Sequence, residues 1–499
     1  MKISRLWLAF IFIGVLFVPC IVNNDVWFLL SDGRYLMQYG FPYTEPFSMH
    51  AGLSFVMQQW LFALGLWKLY TSFGIPGLYA FSYVSCALLV AVFFLLARVV
   101  SGGRELVPAV LAGAAGILIA EVSCQRPQMA STLLLLLEVL ALEYFGRRKK
   151  RLPAFFLLPV LSVLIVNLHA ALWPMALVVL LPYLAAALVS RRLPSVSRRF
   201  APELLFSLRE LLGLFFLVLA AGLLNPYGTD AMLYSLRSYG DEDIQGIINE
   251  MAPLAIRGMH YSFLLPLYFV LTAVYARCRL RLSLILLAAG MGAMSLLSVR
   301  SALLAIFFVL LPLVSLSDRF PYTRLYASFR TSTRRERREL FTIGLLLLVF
   351  IFYMALPRLR TPYVISPYLA EAVDIMREQA PAGTSVYADF NDGPYVEFMG
   401  FRPYIDARAE VYTKRLNHKK DYFHEYRQER EGMIDYREFL ARYDFPWLIV
   451  HEAEPLYYQL PHEKGYELFY DSKKDSHLIS PLNGNEKDIG IRLYRRLER

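Results

Sequence analysis

"CQRPQMASTLLLLLEVLALEYFGRRKKR", from Cys124 to Arg151, sets the class of this protein. A proline opens the segment, an apolar run over 128–146 fills it, and "RRKKR" (147–151) closes it. A helix of that length crosses a hydrocarbon core of about 30 Å, and it satisfies its own backbone where no water can. Short basic loops stay on the cytoplasmic side. "RRKKR" therefore marks the inner end of this span, and "CQRPQ" is an outer turn.

The rest of the chain repeats that pattern. Its 499 residues are 57% hydrophobic with a mean hydropathy of +0.43, above the range of soluble domains. Further apolar runs lie at 6–22, 77–97, 105–122, 153–168, 170–190, 205–224, 262–277, 282–299, 301–317 and 340–356. The other strong basic loops are "RRLPSVSRR" (191–199), "RCRLR" (277–281) and "TSTRRERRE" (331–339). One apolar stretch, 55–70, decides the parity. If it crosses, every basic loop falls outside. If it lies in the interface, every basic loop falls inside. "QQWLFALGLWKLY" carries Gln58, Gln59 and Lys68, which suits an interfacial helix.

The expected fold is an α-helical polytopic membrane bundle of about eleven spans plus interfacial helices. Lys2 and Arg5 place the N-terminus in the cytoplasm. "FVPCIVNN" offers no small-residue cleavage site, so the first run reads as a retained anchor. The transmembrane domain is expected over 1–356, with outer loops at 23–76 and 225–261. Residues 357–499 read as a soluble extracytoplasmic α/β domain. There, strand-like runs such as "TSVYADF", "RPYID" and "FPWLIV" alternate with helical runs such as "YLAEAVDIMREQ".

Composition also excludes several classes. Cys20, Cys86, Cys124 and Cys278 lie in or beside apolar runs, which gives neither a disulfide framework nor a thiolate metal site. No HExxH, P-loop, GxSxG or dinucleotide fingerprint is present. No metal ligand set and no cofactor are indicated. The net charge of +10 is mostly arginine in short loops, so it reports topology, and no nucleic-acid partner is expected. The bilayer itself is the expected partner.

Ionisable groups at membrane depth are costly and therefore informative. Five stand on the expected outer side: Asp25, Arg126, His169, Glu250 and Arg300. Asp25 reads as a helix-end acid at headgroup level beside Trp27, or as a base in a partly desolvated cleft. Arg126 reads as a snorkelling side chain or as a phosphate ligand, since guanidinium binds phosphate oxygens through paired N–H groups. Arg300 splits two apolar runs with no other charge nearby and calls for an anion. His169 in "VNLHAALWP" is a helix-end hydrogen-bonding residue or an acid/base group. Glu250 is an exposed loop acid or a supporting group. "LNPYG" (224–228) is a structural turn. One carboxylate and two arginines at one mouth would suit transfer from a lipid phosphate, because a phosphate leaving group needs little protonation.

The motifs in their order carry a resemblance. They are "DVWFLL", "DGRYLMQYGFP", "YTEPFS", "QQWLF", "RPQMAS", "VNLHAAL", "LLNPYG", "INEMAPL" and "SVRSALLAIF", then "VYADFNDGPYVEFMG", "YIDARAEVY" and "YDFPWLIVHE". Over nearly its full length the chain resembles bacterial multi-pass GT-C-type glycosyltransferase-like proteins. That group includes polyprenyl-phosphate-sugar-dependent enzymes. The resemblance implies a polyprenyl-phosphate-linked sugar donor and inverting transfer at the outer face of the bacterial cytoplasmic membrane. The acceptor would be a cell-envelope glycan, glycolipid or protein. Asp25 matches the base, and Arg126 and Arg300 match the donor phosphate contacts. His169, Glu250, Trp27, Glu45, Asp406 and Arg408 would serve the acceptor or support the site.

The chain departs from the pattern at several positions. Leu29 stands for the usual His, Glu45 for an Asp, and Gln58 and Gln59 where His and Glu are common. Asp406 and Arg408 are one residue apart and would share a face on a strand. They form either an ion pair or, with Tyr404 and Tyr412, a glycan contact. Asp389 and Asp392 read as loop formers. Two other functions stay open: a non-catalytic membrane scaffold or glycan-binding relative, and a lipid-linked glycan transporter. Clustering of the charged sites on one side argues against the transporter.

Overall fold

The computed structural model describes residues 11–202, 205–238, 243–244, 248–251, 253–254, 264–318, 362–475 and 490–497. Its chain forms two compact units. One comprises Met1–Cys20, Ala80–Gly228 and Asn249–Pro362, and the other Ile21–Tyr79, Thr229–Ile248 and Tyr363–Arg499.

Apolar helices dominate the first unit. Among the described residues, four helices are long and apolar enough to cross a membrane: Trp60–Val100, Pro127–Arg147, Ala170–Arg192 and Val299–Ser317. Leu106–Val122, Leu152–Leu168, Leu264–Tyr275 and Leu282–Leu297 are apolar but shorter. This is a helical membrane protein, but eleven full spans are more than these helices support. Proline and tight turns account for part of the difference. The run 301–317 leaves α geometry at Leu311, just before Pro312, and continues as a 3-10 stretch to Asp318. The run 205–224 yields a helix only from Leu208 to Ala221, started by a reciprocal Ser207–Glu210 capping box. In the first run the described residues form a single 3-10 turn, Ile13–Phe17. The run 340–356 lies outside the described residues.

Packing inside this unit uses small residues and polar ties. A Cβ on Gly14 would come within 2.6 Å of the Gly116 Cα, so only glycine permits this approach of the turn to helix Leu106–Ile119. Trp173 Nε1 donates to Ser162 Oγ at 2.9 Å, and Ser162 Oγ donates to the Val218 carbonyl at 2.8 Å. Buried Glu143 is held by both ends of the Arg281 guanidinium at 2.7 and 2.8 Å, by Arg147 at 3.3 Å and by the Tyr183 hydroxyl at 3.0 Å.

The second unit joins the segment after the first apolar run to the C-terminal region. Helix Asp25–Tyr39 follows a bond from the Val22 N–H to the Tyr363 carbonyl at 2.8 Å. The helix that starts at Trp60 breaks at Gly74, where φ 60° and ψ −152° followed by Pro76 interrupt the ladder. That break separates the stretch 55–70 from the run 77–97.

A five-stranded sheet supports this unit. The strands are β1 Ser385–Tyr387, β2 Arg402–Pro403, β3 Trp447–His451, β4 Tyr466–Asp471 and β5 Ile491–Arg496. Their order is β2-β1-β3-β5-β4, parallel across β2-β1-β3 and antiparallel across β3-β5-β4. Helix Pro367–Gln379 buries Leu369, Ala372, Val373 and Met376, a 3–4 spacing that forms one apolar face. The expected strand over "RPYID" is shorter than the reading, and Asp406 and Arg408 are not on a strand. The Arg408 N–H turns back to Asp406 Oδ1 at 2.8 Å, and this local turn replaces a ladder. Tyr404 and Tyr412 are fully buried, which removes them as glycan contacts. Tyr404 packs against Phe439, Tyr443 and Phe445 and donates to Glu425 at 2.9 Å.

Candidate functional site

Four of the sequence-selected residues meet in the first unit. Arg126 caps helix Pro127–Arg147 in an extended conformation, φ −111° and ψ 145°, as expected for a residue before proline. Its guanidinium donates to both Glu250 oxygens at 2.6 Å. Arg300, in the turn Val299–Ser301, approaches the same carboxylate at 3.8 Å. Burial pushes the Glu250 carboxyl up, but the two guanidinium charges, Arg126 first, hold it below its ordinary value. Exposures of 21% for Arg126, 37% for Arg300 and 42% for Glu250 leave the trio open on one side.

His169 lies close enough to Arg300 to feel its charge. It ends helix Leu152–Leu168 with φ −164° and ψ 80°. The ring is buried, and among the described residues its Nδ1 has no hydrogen-bond partner. Nearby, Asn167 Nδ2 bonds the Leu224 carbonyl at 2.9 Å. Asn225 ties the "LNPYG" turn through the Gly222 and Gly228 carbonyls, which is the structural role that turn was expected to have.

The remaining candidates belong to the second unit. Asp25 is the first residue of helix Asp25–Tyr39, and its N–H is accepted by Asn23 Oδ1 at 3.0 Å. A carboxylate suits that end of a helix. Trp27 is buried, with its ring 5.1 Å from those of Tyr395 and Phe398. It is thus a packing residue, not the exposed headgroup anchor that its position beside Asp25 suggested. Leu29, in the place of the usual His, is fully buried. Gln58 donates to Glu410 at 3.2 Å, and Tyr234 donates to the same oxygen at 2.9 Å.

Glu45, Asp406 and Arg408 come together deep in this unit, with two acids the sequence reading did not single out. The Arg408 guanidinium reaches Asp406 at 2.6 Å, Glu397 at 2.7 Å, Asp32 at 3.3 Å and Glu45 at 3.4 Å. The rings of Phe47, Phe55 and Phe28 surround it at 4.8, 5.5 and 5.6 Å. Four carboxylates face one cation, so they cannot all stay ionised without a large cost. Burial pushes Asp32 up to about 7 and raises Glu45 and Glu397, against the pull of Arg408. For Asp406, burial is outweighed by Arg408, which holds the carboxyl below its ordinary value. Glu45 is also tied by the Phe47 and Ser48 N–H groups at 2.9 Å and by the Ser48 hydroxyl at 2.6 Å. The arrangement is an internal staple. Asp32 and Glu397 were legible only as single acids within "SDG" and "VEF".

A second buried network follows β1 and β3. Asp389 Oδ1 accepts the Asn391 N–H at 2.9 Å and so forms the loop, as expected. Asp392 pairs with His451, whose imidazole is raised to about 9: burial lowers it, and the neighbouring carboxylate more than reverses that. Tyr387 donates to Glu429 at 2.7 Å and to Glu454 at 3.4 Å, and burial pushes both carboxyls up to about 7. Among the described residues, no group of three or more His, Cys, Asp or Glu side chains could hold a metal ion.

Chemically, the arginine pair of the first unit is the arrangement best suited to a ligand. Two guanidiniums share one carboxylate, which leaves positive charge at a partly open position. Anionic oxygens of a phosphate fit there.

The chain matches no family model and no curated protein by sequence. Its fold is similar to that of a solved oligosaccharyltransferase from Archaeoglobus fulgidus tethered to an acceptor peptide containing an NVT sequon. The TM-score is 0.57 at 12% identity, over 90% of this chain and 69% of that one. A structure of the A. fulgidus oligosaccharyltransferase in complex with zinc and sulfate gives a TM-score of 0.55 at 13% identity, over 89% and 67%. The likeness is one of fold, and it supports the GT-C-like architecture expected from the motifs.

Proposed function

We propose that this protein is an integral membrane glycosyltransferase that moves a sugar from a polyprenyl-phosphate donor to a cell-envelope acceptor. The observation that carries the reading is the Arg126–Glu250–Arg300 cluster, with two guanidiniums held on one carboxylate. It occurs in a chain whose fold resembles that of an oligosaccharyltransferase. Arg126 and Arg300 take the donor phosphate and stabilise the charge that develops as the sugar–phosphate bond breaks. Asp25 accepts the proton of the attacking acceptor group. The acceptor oxygen or nitrogen bonds to the anomeric carbon as the phosphate leaves with the electron pair, and attack from the opposite face inverts that centre. His169 supports the phosphate position, and Glu250 holds the two arginines until the phosphate arrives.

The reading keeps the transmembrane domain at 1–356 and the extracytoplasmic domain at 357–499, in the bacterial cytoplasmic membrane. The test is sugar transfer by purified full-length protein from a synthetic polyprenyl-phosphate sugar. Asp25→Asn should lower turnover at least 100-fold, the lower end of general-base effects (about 10²–10⁴), with an unchanged melting temperature. Full turnover by that variant would remove Asp25 as the base.

A second reading, a non-catalytic scaffold, draws on one observation. Gln58, at a position where the resembled proteins carry a proton-transferring group, is engaged with Glu410. Complementation by Asp25→Asn combined with Arg300→Ala would favour it.

A further inference from the structure

We infer that the Glu250 carboxylate holds the seat of the donor phosphate until the donor binds and displaces it. The inference rests on the phosphate role proposed for Arg126 and Arg300. Both Glu250 oxygens accept from one Arg126 nitrogen at 2.6 Å, and Arg300 approaches the same group at 3.8 Å. A phosphate bridging the two arginines would want those same N–H groups. Glu250 and an incoming phosphate therefore compete for one position.

Two hydrogen bonds anchor the main chain beside Glu250. Ser298 Oγ donates to the Glu250 carbonyl at 3.2 Å, and the Leu254 N–H donates to the Leu296 carbonyl at 3.1 Å. The main chain at Glu250 is tied to the end of helix Leu282–Leu297 and the residue after it, while the side chain is 42% exposed. Before the donor binds, the carboxylate neutralises one guanidinium and keeps the Arg126 fork in place. On displacement, both arginines face the ligand.

Magnitudes set how strong such a latch is. Exposed ion pairs contribute little, so the competition is worth at most about fivefold in affinity. A phosphodiester donor carries a single negative charge, like Glu250, so the exchange is close to balanced. The departing phosphate monoester carries about −1.5 to −2. It competes with Glu250 better than the donor does, so the arginine pair favours the state reached after the sugar leaves.

The test is binding of a polyprenyl monophosphate to the purified full-length protein in micelles, with inorganic phosphate and the uncharged polyprenol as parallel probes. Glu250→Gln and Glu250→Ala should each bind polyprenyl phosphate up to about fivefold more tightly, and Arg126→Ala and Arg300→Ala more weakly. Polyprenol binding should not change. If the Glu250 variants bind equally or more weakly while the arginine variants lose affinity, Glu250 is a positioning group and the latch is overturned, but the phosphate site stands. If the arginine variants bind unchanged, the phosphate site itself is overturned. If inorganic phosphate binds as tightly as the lipid, the site takes free phosphate and the lipid donor is overturned.

Discussion

The Arg408 guanidinium reaches the Asp32 carboxylate across 3.3 Å, although 376 positions separate them in the chain. One buried cation thereby ties helix Asp25–Tyr39, which begins at the proposed base, to the loop that follows β2. Arg408 is thus a positioning residue for that helix.

Replacing Arg408 with Met should be strongly destabilising. It leaves four buried acids without their cation, and breaking a buried pair on one side costs about 3–5 kcal/mol. Arg408→Lys should not restore stability, because an ammonium cannot reach several carboxylates in one plane as the guanidinium does. Thermal unfolding of the detergent-solubilised protein reads both effects.

The raised groups lose their contribution to stability as pH rises from 5 to 9, in two parts, while His50, lowered by burial to about 4, acts in the opposite direction below 6.5. Asp32 is raised to about 7 from 3.8, so its contribution is complete below about 4 and is lost as pH rises through 7. His451 is raised to about 9 from 6.5, so its contribution is complete below 6.5 and is lost through 9. Glu429 and Glu454, also raised to about 7, act in the same window as Asp32. Melting temperature against pH should flatten in the lower part for Asp32→Asn and in the upper part for His451→Gln. An Asp32→Asn profile parallel to the parent would contradict the assignment.

Gly393→Ala should destabilise the second unit by about 1–3 kcal/mol, the range for overpacking a filled core. An added Cβ would overlap the Ile405 carbonyl and lie 2.8 Å from the Asp406 Cα, both backbone atoms that cannot give way. The expected readout is a lower melting temperature and faster proteolysis of the C-terminal region.

Arg281→Ala should cost about 3–5 kcal/mol, because Glu143 stays buried after losing both of its short guanidinium bonds. The double variant Arg281→Ala with Glu143→Leu should recover most of that loss, since an apolar replacement leaves no buried charge. Failure of the double variant to recover would assign the loss to Arg281 packing instead.

Much of the helical architecture was legible from local signals. The apolar run 128–146 and the basic residues after it correspond to helix Pro127–Arg147, and Pro127 set its start. Gly74 and Pro76 separate two apolar segments that differ in polarity, and the helix breaks between them. "YLAEAVDIMREQ" forms its helix, and "FPWLIV" contains most of β3. Asp389 and Asn225 shape their turns because their side chains bond their own nearby backbone.

Residue types, spacings and local backbone chemistry therefore determined the membrane class, the main helices and the turns. They also pointed to Arg126, Arg300, Glu250 and His169 as costly polar groups in an apolar chain. Long-range packing decided the rest. Whether Arg408 meets one acid or four depends on residues from 32 to 408 folding together. Burial of Tyr404 and Tyr412 depends on aromatic neighbours far along the chain. Glu250 lies at 2.6 Å from Arg126 because separate helices end at one place, a relation that no local pattern encodes. Local propensity acts over a few residues, whereas desolvation and ion pairing act through space, so only the tertiary structure brings such charges to one address.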